Sequence, residues 1–149
     1  MEHMEPVTID HEGYMITTDK SLMNLHDIHK WLSEVSYWNK NVKFETVRTA
    51  FDHSFCVGIL HRGHQVGYAR LITDYAIFAY LADVYILEEH RGKGLAKAML
   101  QVLLGFEWVK GLRGIKLATT DAHELYRQFG FGACAHPERI MEISRSPWP

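Results

Sequence analysis

The feature that most constrains the fold is a long apolar run that leads into a glycine-containing loop. Residues 77–87 read IFAYLADVYIL, and this near-continuous apolar character predicts a strand that is covered on both faces. Arg91-Gly92-Lys93-Gly94 follows, and apolar residues at helical spacing predict a helix from Gly94 to about Val109. A buried strand, a loop and a helix in this order are typical of a layered α/β domain.

The remaining elements complete a mixed α/β pattern in the order β-α-α-β-β-β-α-β-α-β. Further strands are predicted at 14–18, 54–60, 65–72, 115–119 and 139–143. Further helices are predicted after Asp19 or Ser21, at about 43–53, and at 122–129 after a cap at Asp121. The length of 149 residues suits a single domain, with its core at about 14–144.

Composition and charge exclude several classes of function. The net charge is −2 and no run of basic residues occurs, so nucleic acid is not an expected partner. The apolar stretch Tyr75–Leu87 contains Asp83 and is too short to span a membrane, so no membrane partner is expected. Met1–Asp10 lacks the apolar segment of a secretory signal. Two cysteines, Cys56 and Cys134, imply no disulfide framework, and a cytoplasmic location is expected.

The loop at the start of the long helix has the properties of an anion site. Gly92 and Gly94 allow the backbone to approach a ligand, and the amides of Gly92 to Ala96 lie at the positive end of the helix dipole. Neither a P-loop nor a dinucleotide fingerprint is present, because Lys97 stands where the fingerprint that begins at Gly92 needs a glycine. The alternative is that these glycines only shape a turn.

Two segments resemble the signatures of the GNAT acetyltransferase superfamily. Arg91 to Ala96 match its (Q/R)-x-x-G-x-(G/A) loop, placed between an apolar strand and a long helix. Leu125 to Phe131 resemble its L-Y-x-x-x-G-F segment, with Ala122 three residues earlier, as is common in the family. The order of elements from Tyr14 to Ile143 is similar as well. The resemblance implies the GNAT fold and acetyl-CoA as cofactor.

The resemblance also implies roles for particular residues. Val84, Tyr85 and Ile86 match the strand whose backbone pairs with the pantetheine arm. The pyrophosphate loop corresponds to Arg91, Gly92, Lys93, Gly94, Leu95 and Ala96. Tyr126 matches the tyrosine that often protonates the departing thiolate. Thr119 stands where many members carry a cofactor-contacting asparagine, and is kept among the cofactor-binding candidates.

The chemistry of acetyl transfer needs a base and a donor for the carbonyl oxygen. The resemblance implies that a backbone amide at Val84 or Tyr85 faces that oxygen. Asp83 lies inside the central strand and is the candidate base, with a structural aspartate as the alternative. Tyr80, three residues earlier, is expected on the opposite face of the strand, where it can order a water instead.

An aromatic pair, Tyr37 and Trp38, lies between the first two helices. In GNAT proteins this segment usually builds part of the acceptor pocket, so the pair is predicted to wall an amine pocket, including by cation–π contact. The alternative is a loop that its aromatic rings clamp to the core. His26 and His29 lack a third ligand, so no metal site is predicted.

The function that the resemblance implies is transfer of an acetyl group from acetyl-CoA to a primary amine, by direct attack in a ternary complex. A small-molecule amine is the expected acceptor. The alternatives are a protein N-terminus or lysine as acceptor, or a non-catalytic CoA-binding regulatory domain. The sequence leaves a homodimer open.

Overall fold

A computed structural model describes residues 5–145 and contains one six-stranded sheet. The strands are β1 (Thr8–His11), β2 (Tyr14–Thr17), β3 (Phe55–His61), β4 (His64–Thr73), β5 (Phe78–Ile86) and β6 (Gly114–Lys116). They lie side by side in chain order, and all neighbours are antiparallel except the parallel pair β5 and β6. The predicted mixed sheet of an α/β fold is therefore confirmed.

Residues 5–145 also form five α-helices. They are α1 (Leu25–Glu34), α2 (Phe44–Asp52), α3 (Leu95–Leu104), α4 (Glu107–Lys110) and α5 (His123–Arg127). Asn24 caps α1, since its side-chain oxygen accepts from the amide of Asp27 at 3.0 Å. Asp19, a predicted cap, instead accepts from the amide of Ser21 at 3.0 Å and caps the short 3-10 turn Lys20–Leu22.

Contacts divide the chain into two compact units, one that ends at Leu117 and one that begins at Ala118. The first unit holds the sheet and α1 to α4, and the second holds α5 and a 3-10 turn at Pro137–Arg139. The expectation of a single domain stays a prediction. Among the described residues, no helix combines the length and the apolar character that crossing a membrane requires.

The core of the first unit lies on both faces of the sheet. One face packs against α1 and α2 through the buried residues Ile28, Leu32, Val47, Phe51, Cys56, Tyr68 and Tyr85. Successive strand residues point to opposite faces, so Val57 and Ala69, both fully buried, point the other way. Helix α3 covers that second face with buried residues such as Met99 and Leu103.

Two predicted elements differ from those observed, and one observed strand was not predicted. The predicted helix 94–109 is two helices, because the chain becomes extended at Phe106 after α3 ends. The predicted strand 139–143 is not a strand, and Met141 and Ile143 are 94% and 80% exposed, so alternation of apolar residues there finds no sheet to join. The edge strand β1 was not predicted, because all four of its residues are polar or exposed.

Strand β5 also departs from its prediction. Its near-continuous apolar sequence predicts that both faces are covered. Phe78 and Tyr80 are nevertheless 40% and 37% exposed, whereas Tyr85 and Ile86 at the other end are buried. The prediction is therefore wrong for the beginning of the strand and correct for its end.

Candidate functional site

The loop before α3 presents backbone amides rather than side chains. Gly92 and Gly94 have φ of +79° and +72°, and Gly94 is the N-cap of α3. The first helical bond runs from the amide of Ala98 to the carbonyl of Gly94 at 3.0 Å, so the amides of Leu95 to Lys97 precede it. A Cβ built on either glycine would meet no atom of the described first unit within 4 Å, apart from chain neighbours. This open, amide-rich turn fits a phosphate.

Basic side chains surround the residues that lead into the loop. Lys93 Nζ lies 6.0 Å from the ring of Tyr14, whose hydroxyl shares a 2.8 Å hydrogen bond with His90 Nδ1. The pKa of His61 is lowered by desolvation and then by repulsion from Arg62, His90, Lys93 and His64. Several basic groups thus lie at this end of the sheet together with the acidic residues Glu88 and Glu89, and the charge of Lys93 within the loop favours an anionic ligand.

One edge of β5, here called the free edge, is paired with no strand of residues 5–145 along the half that reaches the loop. The parallel partner β6 pairs only with Phe78 to Tyr80. At the end of the strand, the amide of Leu87 donates to the carbonyl of Val66 at 2.8 Å, toward β4. Backbone groups alternate in direction along a strand, so those of Ile86 face the free edge, where Arg91 Nε donates to its carbonyl at 3.0 Å. An extended ligand can pair with this edge as a strand would.

A bulge interrupts β5 just before that edge. Tyr85 pairs with Tyr68 and Ala82 pairs with Arg70, so two residues of β5 lie opposite one residue of β4. Asp83 is one of the two, and its φ of +55° is left-handed. The extra residue resets the alternation of side chains along the strand. The bulge therefore determines to which face of the sheet the side chain of Asp83 points.

The carboxylate of Asp83 is buried, and both of its oxygens accept hydrogen bonds from neighbouring side chains. Oδ1 accepts from Trp38 Nε1 at 2.7 Å and from Asn39 Nδ2 at 3.3 Å. Oδ2 accepts from Arg70 Nε at 2.7 Å, in an ion pair whose side chains are 5% and 13% exposed. Arg70 also donates from Nη1 to Ser54 Oγ at 3.0 Å. The structure thus brings two predicted site residues, Trp38 and Asp83, into direct contact.

The sequence missed two members of this network, Arg70 and Asn39. A signal for Arg70 was present, because it is the one charged residue in the apolar stretch 65–72. A buried charge is rarely left unpaired, so this position predicts a partner of opposite charge. No comparable signal marks Asn39, which lies in a polar loop.

The other predicted acceptor residues lie nearby but differ in exposure. Trp38 is partly buried and packs against Trp31 with ring centroids 5.6 Å apart. Tyr37 is 43% exposed and meets Trp38 edge-on at 5.0 Å. Tyr80 was expected to point away from Asp83. It pairs with Ile72, on the same face as the Arg70 side chain that binds Asp83, so this expectation is wrong because the bulge resets the alternation.

A cavity of about 600 Å³ lies beside these residues rather than between them. Its lining comes from α1, from the turn between β3 and β4, and from the segment that follows β5. Trp31 forms one wall, and its ring stacks at 4.2 Å on that of Tyr85. The charged lining residues are Asp27, Lys30, Glu34, Arg62 and Glu89. This volume is in the range of small-molecule sites.

Tyr126 and Thr119 belong to the second unit. Tyr126 is the buried residue of α5, 8% exposed, and meets Phe131 edge-on with ring centroids 5.9 Å apart. The hydroxyl oxygen of Thr119 accepts from the amide of Ala122 at 3.1 Å. The predicted cap at Asp121 is wrong, because the N-cap residue of α5 is Ala122 and no side chain caps this helix.

The histidine and cysteine residues considered as candidates contact other protein side chains or are exposed. His26 and His29 both contact the ring of Phe44, at 4.7 and 5.4 Å between centroids. No cluster of three potential metal ligands occurs within residues 5–145. The Cys56 thiol is buried, 3.3 Å from Tyr68 Oη, and burial raises its pKa, whereas Cys134 is exposed.

Comparisons with known proteins agree with this geometry. The family model for the acetyltransferase (GNAT) family matches residues 25–131. A protein of Gibberella zeae that is named as an acetyltransferase is 33% identical over 76% of this chain and 75% of its own. The crystal structure of a GNAT-family protein from Xanthomonas campestris pv. campestris is 42% identical, with a TM-score of 0.86 over 91% of this chain and 94% of its own.

A third comparison concerns the fold alone. A predicted acetyltransferase from Clostridium acetobutylicum, crystallised with acetyl-CoA, is 17% identical, with a TM-score of 0.60 over 88% of this chain and 94% of its own.

Proposed function

The chain belongs to the GNAT acetyltransferase family, and from this premise we propose that it transfers the acetyl group of acetyl-CoA to a primary amine of a small molecule. The observation that carries the proposal is an open, amide-rich loop next to a strand edge that has no β6 partner beyond Tyr80. The loop fits a pyrophosphate and the edge fits an amide-containing arm. Acetyl-CoA contains both groups and supplies the activated acyl group as a thioester.

In this proposal the loop and the strand end hold the cofactor. The backbone from Gly92 to Ala96 faces the pyrophosphate, and Lys93 adds positive charge. Arg91 holds the turn through its bond to the carbonyl of Ile86. Because that carbonyl faces the free edge, Arg91 also limits how far the arm can pair along β5. Thr119 is expected to help the cofactor only indirectly, by accepting from the amide of Ala122 just before α5.

The strand register favours one of the two candidate amides for the carbonyl oxygen. Tyr85 and Leu87 are two residues apart, so both direct their backbone groups toward β4. Tyr85 is therefore a poor candidate, and Val84, within the bulge, is the proposed donor. A fixed amide there stabilises the charge that develops on the oxygen as the amine attacks.

The proposal assigns two proton transfers to side chains. The Tyr126 phenol is proposed to donate its proton to the departing thiolate, since a phenol is protonated at neutral pH. The acceptor ammonium must lose a proton before attack. Two routes are open for it: direct transfer to Asp83, or transfer to a water that Tyr80 orders.

The acceptor is proposed to bind where Trp38 and Tyr37 lie next to the β5 bulge. Trp31, which packs against Trp38, also lines the 600 Å³ cavity along α1, and the size of that cavity suits a small molecule. The cytoplasm is the proposed location, because both cysteines are free thiols.

The experiment combines acetyl-CoA binding by calorimetry with CoA release over a panel of primary amines. The proposal expects acetyl-CoA to bind and CoA release to depend on an added amine. Failure to bind acetyl-CoA would refute the proposal outright. Binding without amine-dependent release would identify a CoA-binding regulatory domain instead.

A further inference from the structure

The carboxylate of Asp83 joins parts of the first unit that are distant in sequence. It receives the indole of Trp38 and the amide of Asn39 from the segment between α1 and α2. It also accepts a hydrogen bond from the guanidinium of Arg70 on β4. The same guanidinium donates to Ser54, which lies between α2 and β3. One side chain thus fixes the distance between the bulge and residues 36–39, here called the aromatic segment.

The opposite end of the aromatic segment has its own anchor. Ser36 is 2% exposed, donates to the carbonyl of Leu32 at 2.6 Å, and accepts from the amide of Asn39 at 3.0 Å. The segment is therefore held at Ser36 by the end of α1 and at Trp38 and Asn39 by Asp83. Without Asp83, the indole N–H of Trp38 would lose its acceptor, and ring contacts with Trp31 and Tyr37 would have to hold the side chain.

The hydrogen bonds at Asp83 bear on its chemical role. An ionised carboxylate has about four lone-pair sites, and three of them are occupied here. Two of the donors, the indole and the guanidinium, are close at 2.7 Å and come from partly or largely buried side chains. One site is left, but a proton there would neutralise the carboxylate and weaken the ion pair with Arg70 that holds the segment in place.

We propose that Asp83 is a positioning residue, which sets the acceptor wall formed by Trp38 and Asn39 against the β5 bulge through a carboxylate shared with Arg70. The inference rests on the proposed function, because it takes Trp38 as part of the acceptor site. In this arrangement the ammonium proton leaves by a route other than Asp83. Arg70 supports the same geometry from β4 without contact with the acceptor.

The backbone makes Asp83→Asn a well-matched substitution. Asn tolerates the left-handed φ of +55° as Asp does, and its carbonyl oxygen can still accept from Trp38. Its amide nitrogen cannot accept from Arg70. Asp83→Asn therefore breaks the ion pair without altering the bulge, whereas Trp38→Phe removes the indole donor and keeps an aromatic ring.

The test is a double-mutant cycle with Asp83→Asn, Trp38→Phe and the double variant, measured with the best primary amine of the panel. Positioning predicts that each single variant raises the acceptor KM about tenfold, as expected for one charge-assisted bond, and that the effects are not additive. It predicts kcat within about threefold and an unchanged pH–rate profile, because loss of a general base costs about 10²–10⁴-fold. A kcat loss of that size in Asp83→Asn, additive with Trp38→Phe, would overturn the inference.

Two additions keep the test decisive. Arg70→Lys retains the carboxylate and should also raise the acceptor KM, so an unaltered KM in both Arg70→Lys and Trp38→Phe would overturn the inference even if Asp83→Asn fails to fold. Val57→Ala, on the other face of the sheet, controls for loss of stability and should leave the acceptor KM alone. If no amine is acetylated, the proposed function fails, and exchange of the Trp38 indole proton still decides: faster exchange in Arg70→Lys supports positioning.

Discussion

The β5 bulge and the loop that follows it differ in how their polar groups are used: those of the bulge bind other protein groups, and those of the loop are accessible. At the bulge, the polar side chain of Asp83 is bonded on both oxygens by neighbouring side chains. In the loop, Gly92 and Gly94 put the backbone in left-handed conformations that turn amides outward, with open space around them. A region that satisfies its own polar groups is suited to hold position, and one that leaves amides accessible is suited to bind.

Both regions depend on a positive φ, but they use it differently. Asp83 has a left-handed backbone conformation, which is strained for a residue with a side chain. Three hydrogen-bond donors hold that side chain in place. The glycines have no side chain, so the same conformation costs them little and leaves room for a ligand. In these two places, the residue at positive φ has a side chain held by hydrogen bonds in one case and is a glycine with room for a ligand in the other.

The largest expected effect lies outside both regions and would sharpen the contrast between them. If bulge and loop only position and bind, the chemical step depends on Tyr126. Tyr126→Phe removes the hydroxyl and keeps the ring that meets Phe131, so kcat should fall about 10²–10⁴-fold with little change in acetyl-CoA affinity. Steady-state kinetics and calorimetry measure the two quantities, and a kcat within about threefold of wild type would reduce Tyr126 to a packing role.

The binding role of the loop can be broken by charge alone. Gly94→Asp places a negative charge at the N-terminus of α3, and we expect acetyl-CoA affinity to fall about 100-fold, or roughly 2.7 kcal/mol. Gly94→Asn is the matched control, because it has the same size and tolerates the left-handed φ without the charge. Calorimetry on both should give the larger loss for Asp. Equal losses would mean that bulk, and not an anion site, explains the effect.

The positioning role of the bulge can be broken from the side of its partner. Trp38→Ala removes both the indole bond to Asp83 and the aromatic wall beside Tyr37. The acceptor KM should rise about tenfold or more, while the acetyl-CoA KM changes little. Steady-state kinetics with each substrate varied in turn tests this, with circular dichroism as the control for folding. Equal changes in both KM values would return Trp38 to a structural role.

The smallest expected effect concerns Asp74, whose carboxylate accepts three hydrogen bonds as that of Asp83 does, but which is exposed. Asp74 Oδ1 accepts from the amides of Ala76, Ile77 and Phe78 at 2.9, 2.7 and 3.1 Å, and these bonds hold its pKa below its usual range. Its contribution to stability is therefore present above the unfolded pKa of about 3.9 and is lost as the pH falls through the lowered value.

Asp74→Asn should accordingly lower the thermal midpoint slightly at pH 7, and the gap to wild type should close in acid. Thermal melts from pH 7 to pH 3 measure it. A gap that is constant with pH would assign the effect to geometry rather than to charge.

The sequence was most informative where chemistry and local structure coincide. The strands predicted at 54–60 and 65–72, the strand before the loop, and the loop itself follow from turn residues and apolar patterns that act over a few positions. The bulge could not be predicted in the same way, because its register depends on the pairing of β4 with β5. The network around Asp83 was missed for the same reason, since Trp38 and Asn39 lie more than 40 positions away.

The failures at the ends of the fold have a different physical cause. Residues 139–143 alternate like a strand, but alternation reports only a preference, and Met141 and Ile143 are exposed. The edge strand β1 shows the converse, since its backbone pairs with β2 although its side chains give no apolar signal. In both cases the deciding factor is whether a neighbouring strand is present, which local sequence does not encode.

The contrast between the two thiols offers a way to observe the second unit in solution. The buried Cys56, with its raised pKa, should resist alkylation, whereas the exposed Cys134 should react readily. A maleimide dye would therefore label the native protein at one site, eight positions beyond Tyr126 in the sequence. Its fluorescence would report, turnover by turnover, on the segment to which the proton donor is assigned.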